Sequence, residues 1–536
     1  MRLTADDLTF SGLVRRRAEE EPDRLAFVFE NDTLPAERVR LRDLAIRGNA
    51  MAARLRADGF APGDRLAVMM RNHPDFLYAL VAASKLGLVA VPVDPRARGD
   101  KLRYFLAFAE ATGVVAADYT LADGAAAVIR ELELRAYAVP TAEGEEQGAD
   151  PSGWRVLDEA LGGGELPDVG EHAGSADAPW LLSYTSGTTG DPKAIVVPYS
   201  RLPFYARNAE FFGYRPDDVP YTGLSLVHGN ALFVSMLPAL LGQVDHTVFS
   251  RWFTKSRLWD VCIAHGCTTW SNLGGIATAV YAEPASPKDR AHRVRLVLSA
   301  GMPSDLWRPF EERFGVAVLE WYGTMEGGFA YNRLGVGPTG SFCKPPEGVF
   351  EMDVFDENDR PAASGEVGEL VVRPAGRPAQ LEYYKNPEAS AAKVRAGWLH
   401  TGDMCRRDED GWFYFSHRTE EGGIRKLGEF VPEWFVRRVV AEDPEVLDVH
   451  VYGVPAASGA PGESDLVAAV VARDRGAFDP RAFLERCAGR LERAHLPDLV
   501  QVVDDLPKTP TQKVQVRVLV ELLRSAPDCV YDRRRG

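Results

Sequence analysis

The stretch "YTSGTTGDPK", residues 184–193, sets Thr185, Ser186, Gly187, Thr188 and Thr189 ahead of a single lysine, Lys193. Glycine lets backbone N–H groups turn toward a ligand, hydroxyls donate beside them, and an ammonium adds a compact charge. Together such groups surround phosphate oxygens. Apolar "PWLL" before and "AIVVP" after read as strands that hold the loop at both ends. The spacing is not that of the G-x-x-x-x-G-K-[ST] loop. Ala194 follows the lysine, and Pro192 stops the helix of that motif from opening there. A Ser/Thr/Gly cluster alone also describes a solvated surface loop, so a phosphate site needs partners elsewhere in the chain.

Several stretches could supply them. "LVHGNAL" carries His228, although a lone histidine among apolar residues more often packs in a core. "LVLSAGMPSDL" (296–306) reads as a strand, a glycine turn and a helix, so the backbone at Gly301 and Met302 can approach a flat ring closely. In "LEWYGTMEGG" (319–328), Tyr322 offers a ring for stacking and Glu326 a hard oxygen for a divalent cation. "GWLHTGD" ends in Asp403, and Arg418 lies fifteen residues on; alone, they would be an ordinary ion pair. "DDLPKTPTQKVQVRVL" (504–519) contains Lys513, which on an isolated strand would be solvated.

Taken in this order, the stretches resemble the adenylate-forming superfamily: acyl-CoA synthetases, adenylation domains of nonribosomal peptide synthetases and beetle luciferases. "YTSGTTGDPK" is similar to its phosphate loop, and the resemblance covers essentially the whole chain. It implies ATP, Mg²⁺ and coenzyme A as reactants or cofactors, and a small-molecule carboxylic acid as substrate. Thr185, Ser186, Gly187, Thr188, Thr189 and Lys193 would hold phosphates, with Thr185 and Glu326 near the metal. Gly301, Met302, Tyr322, Gly323 and Thr324 would lie along the nucleotide, Asp403 and Arg418 at the ribose. His228, Phe233, Trp270, Leu273, Gly327 and Gly328 would border the acid, and Lys513 would bridge the carboxylate and α-phosphate. Glu421 or Gly422, Gly428 and Glu429 match the hinge between two domains that rotate against each other.

The chain departs from the family pattern in places. Met325 stands where threonine is usual, so either Thr324 substitutes for the phosphate contact or that contact is missing. Gln512 replaces a glycine before Lys513, the hinge carries an extra residue, and "WFVRR" replaces an acidic pair. The stretch from Glu320 to Gly328 and "WFYFSHR" are most similar to carnitine/crotonobetaine-type CoA ligases. An enzyme loading a carrier protein is the alternative, and a luciferase-like oxygenase is less well matched. A non-catalytic ligand-binding relative is suggested by Met325 and Gln512, but retention of Lys193, Glu326, Asp403, Arg418 and Lys513 argues against it.

Positioning these residues takes more than one core, and 536 residues are enough for two or more domains. "LRDLAIRGNAMAARLRA" (41–57) has helical spacing, "DRLAVMM" is a strand, and "PDFLYALVAASKLGLVAVPVD" is a helix and a strand. Such alternation predicts a largely parallel α/β sheet. From about residue 348, period-two alternation between Gly/Asp turns predicts a small antiparallel region, followed by a compact α+β unit. The expected organisation is therefore a large N-terminal α/β domain, 1–417, with parallel-type sheets and a small β region, and a small mobile C-terminal α+β domain, 418–536. "ALFVSMLPALLGQV" falls short of the ~20 residues needed to span a bilayer and contains Pro238, so it should be a buried helix.

A net charge of −15 argues against nucleic acid, whose phosphates call for clustered Lys and Arg. Six scattered cysteines without zinc-site spacing fit a reducing compartment, and "MRLTADDLTFSGLVRRRAEE" lacks an apolar signal core; the expectation is a soluble cytoplasmic protein with no membrane partner. A homodimer is compatible with this composition.

Lys513→Ala should cripple acyl-adenylate formation while leaving the thioester step from supplied acyl-adenylate largely intact, because the matching lysine serves only one of the two half-reactions. Separate assays of the half-reactions check this; adenylation within a few-fold of wild type would remove Lys513 from the site.

Overall fold

The computed structural model describes residues 9–32, 34–141, 154–157, 168–172, 174–184, 193–418, 424–426, 429–431, 433–458, 463–507 and 514–535. Three sheets build the large N-terminal part. The first has seven strands in the order Arg155–Val156, Arg135–Val139, Ala111–Ala117, Arg65–Met69, Val89–Pro92, Pro179–Tyr184, Ala194–Pro198. All neighbours are parallel except the last pair, which is antiparallel with Tyr184 opposite Ala194. The phosphate-loop sequence thus connects two hydrogen-bonded strands, as the flanking apolar runs predict.

The second sheet has eight strands, with a parallel centre running from Ala317–Gly323 through Leu296–Ala300, Thr269–Leu273, Pro220–Thr222 and Thr247–Ser250 to Leu25–Glu30. Short antiparallel strands, Phe329–Tyr331 and Glu37–Arg40, close its two edges. Helices Leu41–Ala57 and Pro74–Leu86 match their periodicity closely. They share a core with residues from both sheets, including Phe27, Trp180 and Phe249. At each site-bearing strand of this sheet the chain leaves through a turn, and the helix Ser304–Phe314 follows the turn at Gly301.

Strands Phe350–Phe355, Val367–Pro374, Val394–Arg395, Trp398–Arg407 and Phe413–Arg418 form the third, antiparallel sheet, with Asp403 paired to Arg418. After it come the hairpin Ile424–Lys426/Glu429–Val431 and a four-stranded mixed sheet built from Val446–Pro455, Ser464–Ala472, Leu499–Val502 and Val530–Asp532. Helices Glu433–Ala441 and Pro480–Ala488 pack on this sheet around Phe435, Phe483 and Val500. The helix Val516–Ser525 lies where the sequence reads as a continuing strand; its strong one-sided apolar pattern, Leu519 inward, settles it as a helix.

The C-terminal unit touches the large part through charge. Lys101 Nζ lies 2.9 Å from Glu492, both side chains about one-tenth exposed, and Arg490 reaches Asp100 at 3.5 Å. The run expected as one buried helix is buried from Ala231 to Leu241, but its turns differ: Asn230–Met236 is a π-helix that tightens into α-helix at Leu237–Leu240. Wide π turns add one residue per turn and are often found where side chains must be re-aimed at a site. Among the described residues, no helix is long and apolar enough to cross a membrane.

Candidate active site

A cavity of about 3170 Å³ runs between the large part and the C-terminal unit. Lys193 opens onto it at the exit of the phosphate-loop hairpin, and its ammonium sits 5.1 Å from the ring centre of Tyr383. Tyr383 is placed there by backbone pairing: the Val196 N–H donates to Glu382 O at 2.9 Å and the Tyr384 N–H to Ala194 O at 2.8 Å. The Tyr383 hydroxyl donates to the Glu326 carboxylate, and Lys393 Nζ is 3.6 Å from the other Glu326 oxygen. Arg201 fixes the turn beneath, donating to the carbonyls of Met325 at 2.5 Å and Glu326 at 3.5 Å. One carboxylate thus lies among cations and a phenol on one wall of the cavity.

On the second wall, Gly301 takes φ +93°, a left-handed value that suits glycine. Both its N–H (2.6 Å) and that of Met302 (3.0 Å) donate to the carboxylate of Glu320. Glu320 is 3% exposed, and burial pushes its carboxyl up to about 8 against the pull of the two N–H donors and Arg425. Two residues further on, the Tyr322 hydroxyl donates to Asp403 at 2.7 Å. Asp403 itself is 4% exposed, its N–H bonded to Thr401 Oγ1 at 3.1 Å. Residues expected along the nucleotide, drawn from two different sheets, therefore meet.

The third wall is apolar. Phe233 stacks on Tyr205 with ring centres 3.8 Å apart, and Leu273 and exposed His228 line the same space. Gly327 and Gly328 have φ of +147° and +86°, and a Cβ at Gly328 would fall 2.7 Å from Val372. Met325 points here: a Cβ on Gly229 would lie 2.4 Å from its sulfur, so the glycine after His228 is what lets this methionine fit.

One expected site residue is corrected. Trp270 is not at the pocket. It is 1% exposed, packed among Phe253, Trp259 and Phe310, because its position in the strand Thr269–Leu273 turns it into the core between sheet and helices. The Thr324 hydroxyl donates to Gly327 O at 2.7 Å and accepts from the Gly327 N–H at 3.1 Å, closing its own turn. A hydroxyl has one proton, and here it is engaged within the turn, although Thr324 also lines the cavity. Gly323 lines the cavity beside it.

Thr185, Ser186, Gly187, Thr188, Thr189, Glu421, Gly422, Gly428 and Lys513 lie outside the described residues. Arg418 and Glu429 are described by their backbones, in strands opposite Asp403 and Lys426. Glu320, Tyr383, Lys393 and Arg201 went unrecognised in the sequence. Only Glu320 left a signal there, as a lone carboxylate inside the buried strand run "AVLEWYG".

Residues 14–377 match the family model described as AMP-binding enzyme, and residues 438–513 match the AMP-binding enzyme C-terminal domain. The chain belongs to the AMP-binding enzyme family. It is 31% identical over 531 residues to a medium/long-chain-fatty-acid–CoA ligase, FadD6, of Mycobacterium tuberculosis, covering 94% of this chain and 84% of that relative. A crotonobetaine/carnitine–CoA ligase of Salmonella paratyphi A is 24% identical, covering 93% and 96%. Among solved structures, o-succinylbenzoate CoA synthetase from Bacillus subtilis shares the fold with a TM-score of 0.76 at 21% identity, over 95% of this chain and 98% of that one.

Trp270→Phe should lower stability by about 1–3 kcal/mol through a partly filled core site, while the KM for the acid substrate stays within about twofold of wild type. Thermal unfolding and acid titrations check this. A tenfold change in acid KM would return Trp270 to the pocket.

Proposed function

We propose that the protein is an AMP-forming acyl-CoA synthetase that activates a sizeable apolar carboxylic acid. The observation that carries this is the meeting, in one cavity, of Lys193 and Glu326, the Gly301–Met302 turn, the Tyr322–Asp403 pair and the apolar wall at Phe233 and Leu273. In this reading Lys193 and the loop hydroxyls hold the departing phosphates, and Tyr322 and the Gly301–Met302 backbone flank adenine. Asp403, with Arg418, accepts the ribose hydroxyls. His228 borders the reacting carboxylate, whose oxygen attacks the α-phosphorus and expels pyrophosphate.

Catalysis here is mostly positioning and charge neutralisation. Lys513 supplies a cation to the carboxylate and α-phosphate in the first step. A rotation of the unit 418–536 about the hinge at Glu421–Gly422 then admits the thiol of coenzyme A to the acyl-adenylate.

Glu326 suits Mg²⁺, which is commonly bound through one or two carboxylates plus substrate phosphates. Among the described residues there is no cluster of three metal-ligating side chains. Glu326 and, from the loop, Thr185 would hold the cation, whose charge would be shared with the phosphates. Six free cysteines, five of them buried, support a cytoplasmic location.

The aromatic and aliphatic wall supports an apolar acid, and the relative that acts, by its name, on medium- and long-chain fatty acids points the same way. A carrier-protein thiol as acceptor shares the first half-reaction, and a homodimer is compatible with all of this.

Pyrophosphate release across a panel of medium-chain, long-chain and aromatic acids, with and without coenzyme A, tests the proposal. Release should favour apolar acids, with coenzyme A converted to a thioester. Adenylation without thioester formation would point to a carrier protein, and no release with any acid would overturn the proposal.

A further inference from the structure

We infer that Glu320 is a positioning residue for the nucleotide: its carboxylate holds the Gly301–Met302 turn at a fixed distance from the ring of Tyr322. The inference rests on the proposed function, in which that turn and that ring flank the base. In a strand, residues two apart point to the same side, so Glu320 and Tyr322 in Ala317–Gly323 face one way. Ser299 pairs with Glu320 across the neighbouring strand, and the turn at Gly301–Met302 begins just past it. The Glu320 side chain therefore reaches over its neighbour to the turn, while Tyr322 presents its ring beyond it.

Both carboxylate oxygens are engaged, one by the Gly301 N–H at 2.6 Å and one by the Met302 N–H at 3.0 Å. Two donors from successive residues on one planar group fix the orientation of the turn as well as its position. Gly301 could otherwise swing freely, since its left-handed conformation costs glycine little.

The choice of a carboxylate is costly at a site that is 3% exposed, where an amide or hydroxyl would be cheaper to bury. The surroundings reduce that cost in part, although burial still holds the carboxyl well above the usual carboxylate range. Besides the two N–H donors, Arg425 of the hairpin Ile424–Lys426/Glu429–Val431 brings its charge to bear on Glu320. Its guanidinium lies 3.9 Å from where a Cβ of Gly301 would stand, and it is also 3.6 Å from Glu463. The C-terminal unit thus completes the electrostatic surroundings of the turn in the present arrangement.

The test compares Glu320→Ala and Glu320→Gln with wild type, using ATP titration calorimetry and steady-state kinetics. Losing both turn bonds should raise the ATP Kd and KM about tenfold in the alanine variant. The glutamine variant, which keeps one acceptor oxygen, should fall between alanine and wild type. KM for the acid and for coenzyme A should stay within about twofold, and kcat at saturating ATP within about threefold. Should Glu320→Ala fail to fold, Glu320→Gln decides alone.

An unchanged ATP affinity in the folded variant overturns the inference, as does a parallel loss for all three substrates with a lowered melting temperature. Calorimetry separates this from the proposed function: a wild type that binds ATP yet releases no pyrophosphate defeats the latter only.

Discussion

The hydrogen bond from Tyr322 to Asp403, 2.7 Å long, joins a strand of the eight-stranded sheet to a strand of the antiparallel sheet. The two sheets share apolar packing around it: Tyr322 and Ala330 of one lie in a core with Val372, Leu399 and Phe413 of the other, and this junction sets an aromatic ring beside a buried carboxylate. Asp403 is 4% exposed and would be expensive to keep charged without donors. The Tyr322 phenol, donating to its carboxylate, offsets part of that cost. The geometry of this side of the cavity, from Gly301 to the Asp403–Arg418 backbone pair, depends on these two sheets meeting here.

The opposite wall follows the same logic with the signs exchanged. Lys393 reaches the Glu326 carboxylate, Arg201 the carbonyls of Met325 and Glu326, and Lys193 the face of the Tyr383 ring whose hydroxyl bonds Glu326. Tyr383 links lysine and carboxylate, and it stands there only because residues 382–384 pair with the strand leaving the phosphate loop. Long-range backbone pairing, rather than local sequence, assembles the cation-rich side.

What the sequence showed follows from which signals are local. The helix at 41–57, the paired strands on either side of residues 185–192, the Gly301 turn and the antiparallel region after residue 348 each carry their own periodicity or turn chemistry, and the structure has them all. Candidate residues within recognisable motifs, such as Tyr322, Glu326 and Asp403, line the cavity as expected. Trp270 was misplaced because an aromatic residue on a buried strand reads the same whether it faces a pocket or a helix layer. Thr324 was ambiguous because its partner, Gly327, is a backbone group with no sequence signature. The π turns at Asn230–Met236 were read as ordinary helix, since the apolar run is buried on all sides and has no face to reveal its pitch.

The measurement that bears most directly on the Tyr322–Asp403 junction is ATP binding to Asp403→Ala by titration calorimetry. If this carboxylate holds the ribose, two charge-assisted hydrogen bonds vanish together and affinity should fall by about 2–4 kcal/mol, with inosine triphosphate losing a similar amount because the base is not involved. Unchanged affinity for both nucleotides in a folded variant would contradict the account, leaving Asp403 as a support for Tyr322 and no more.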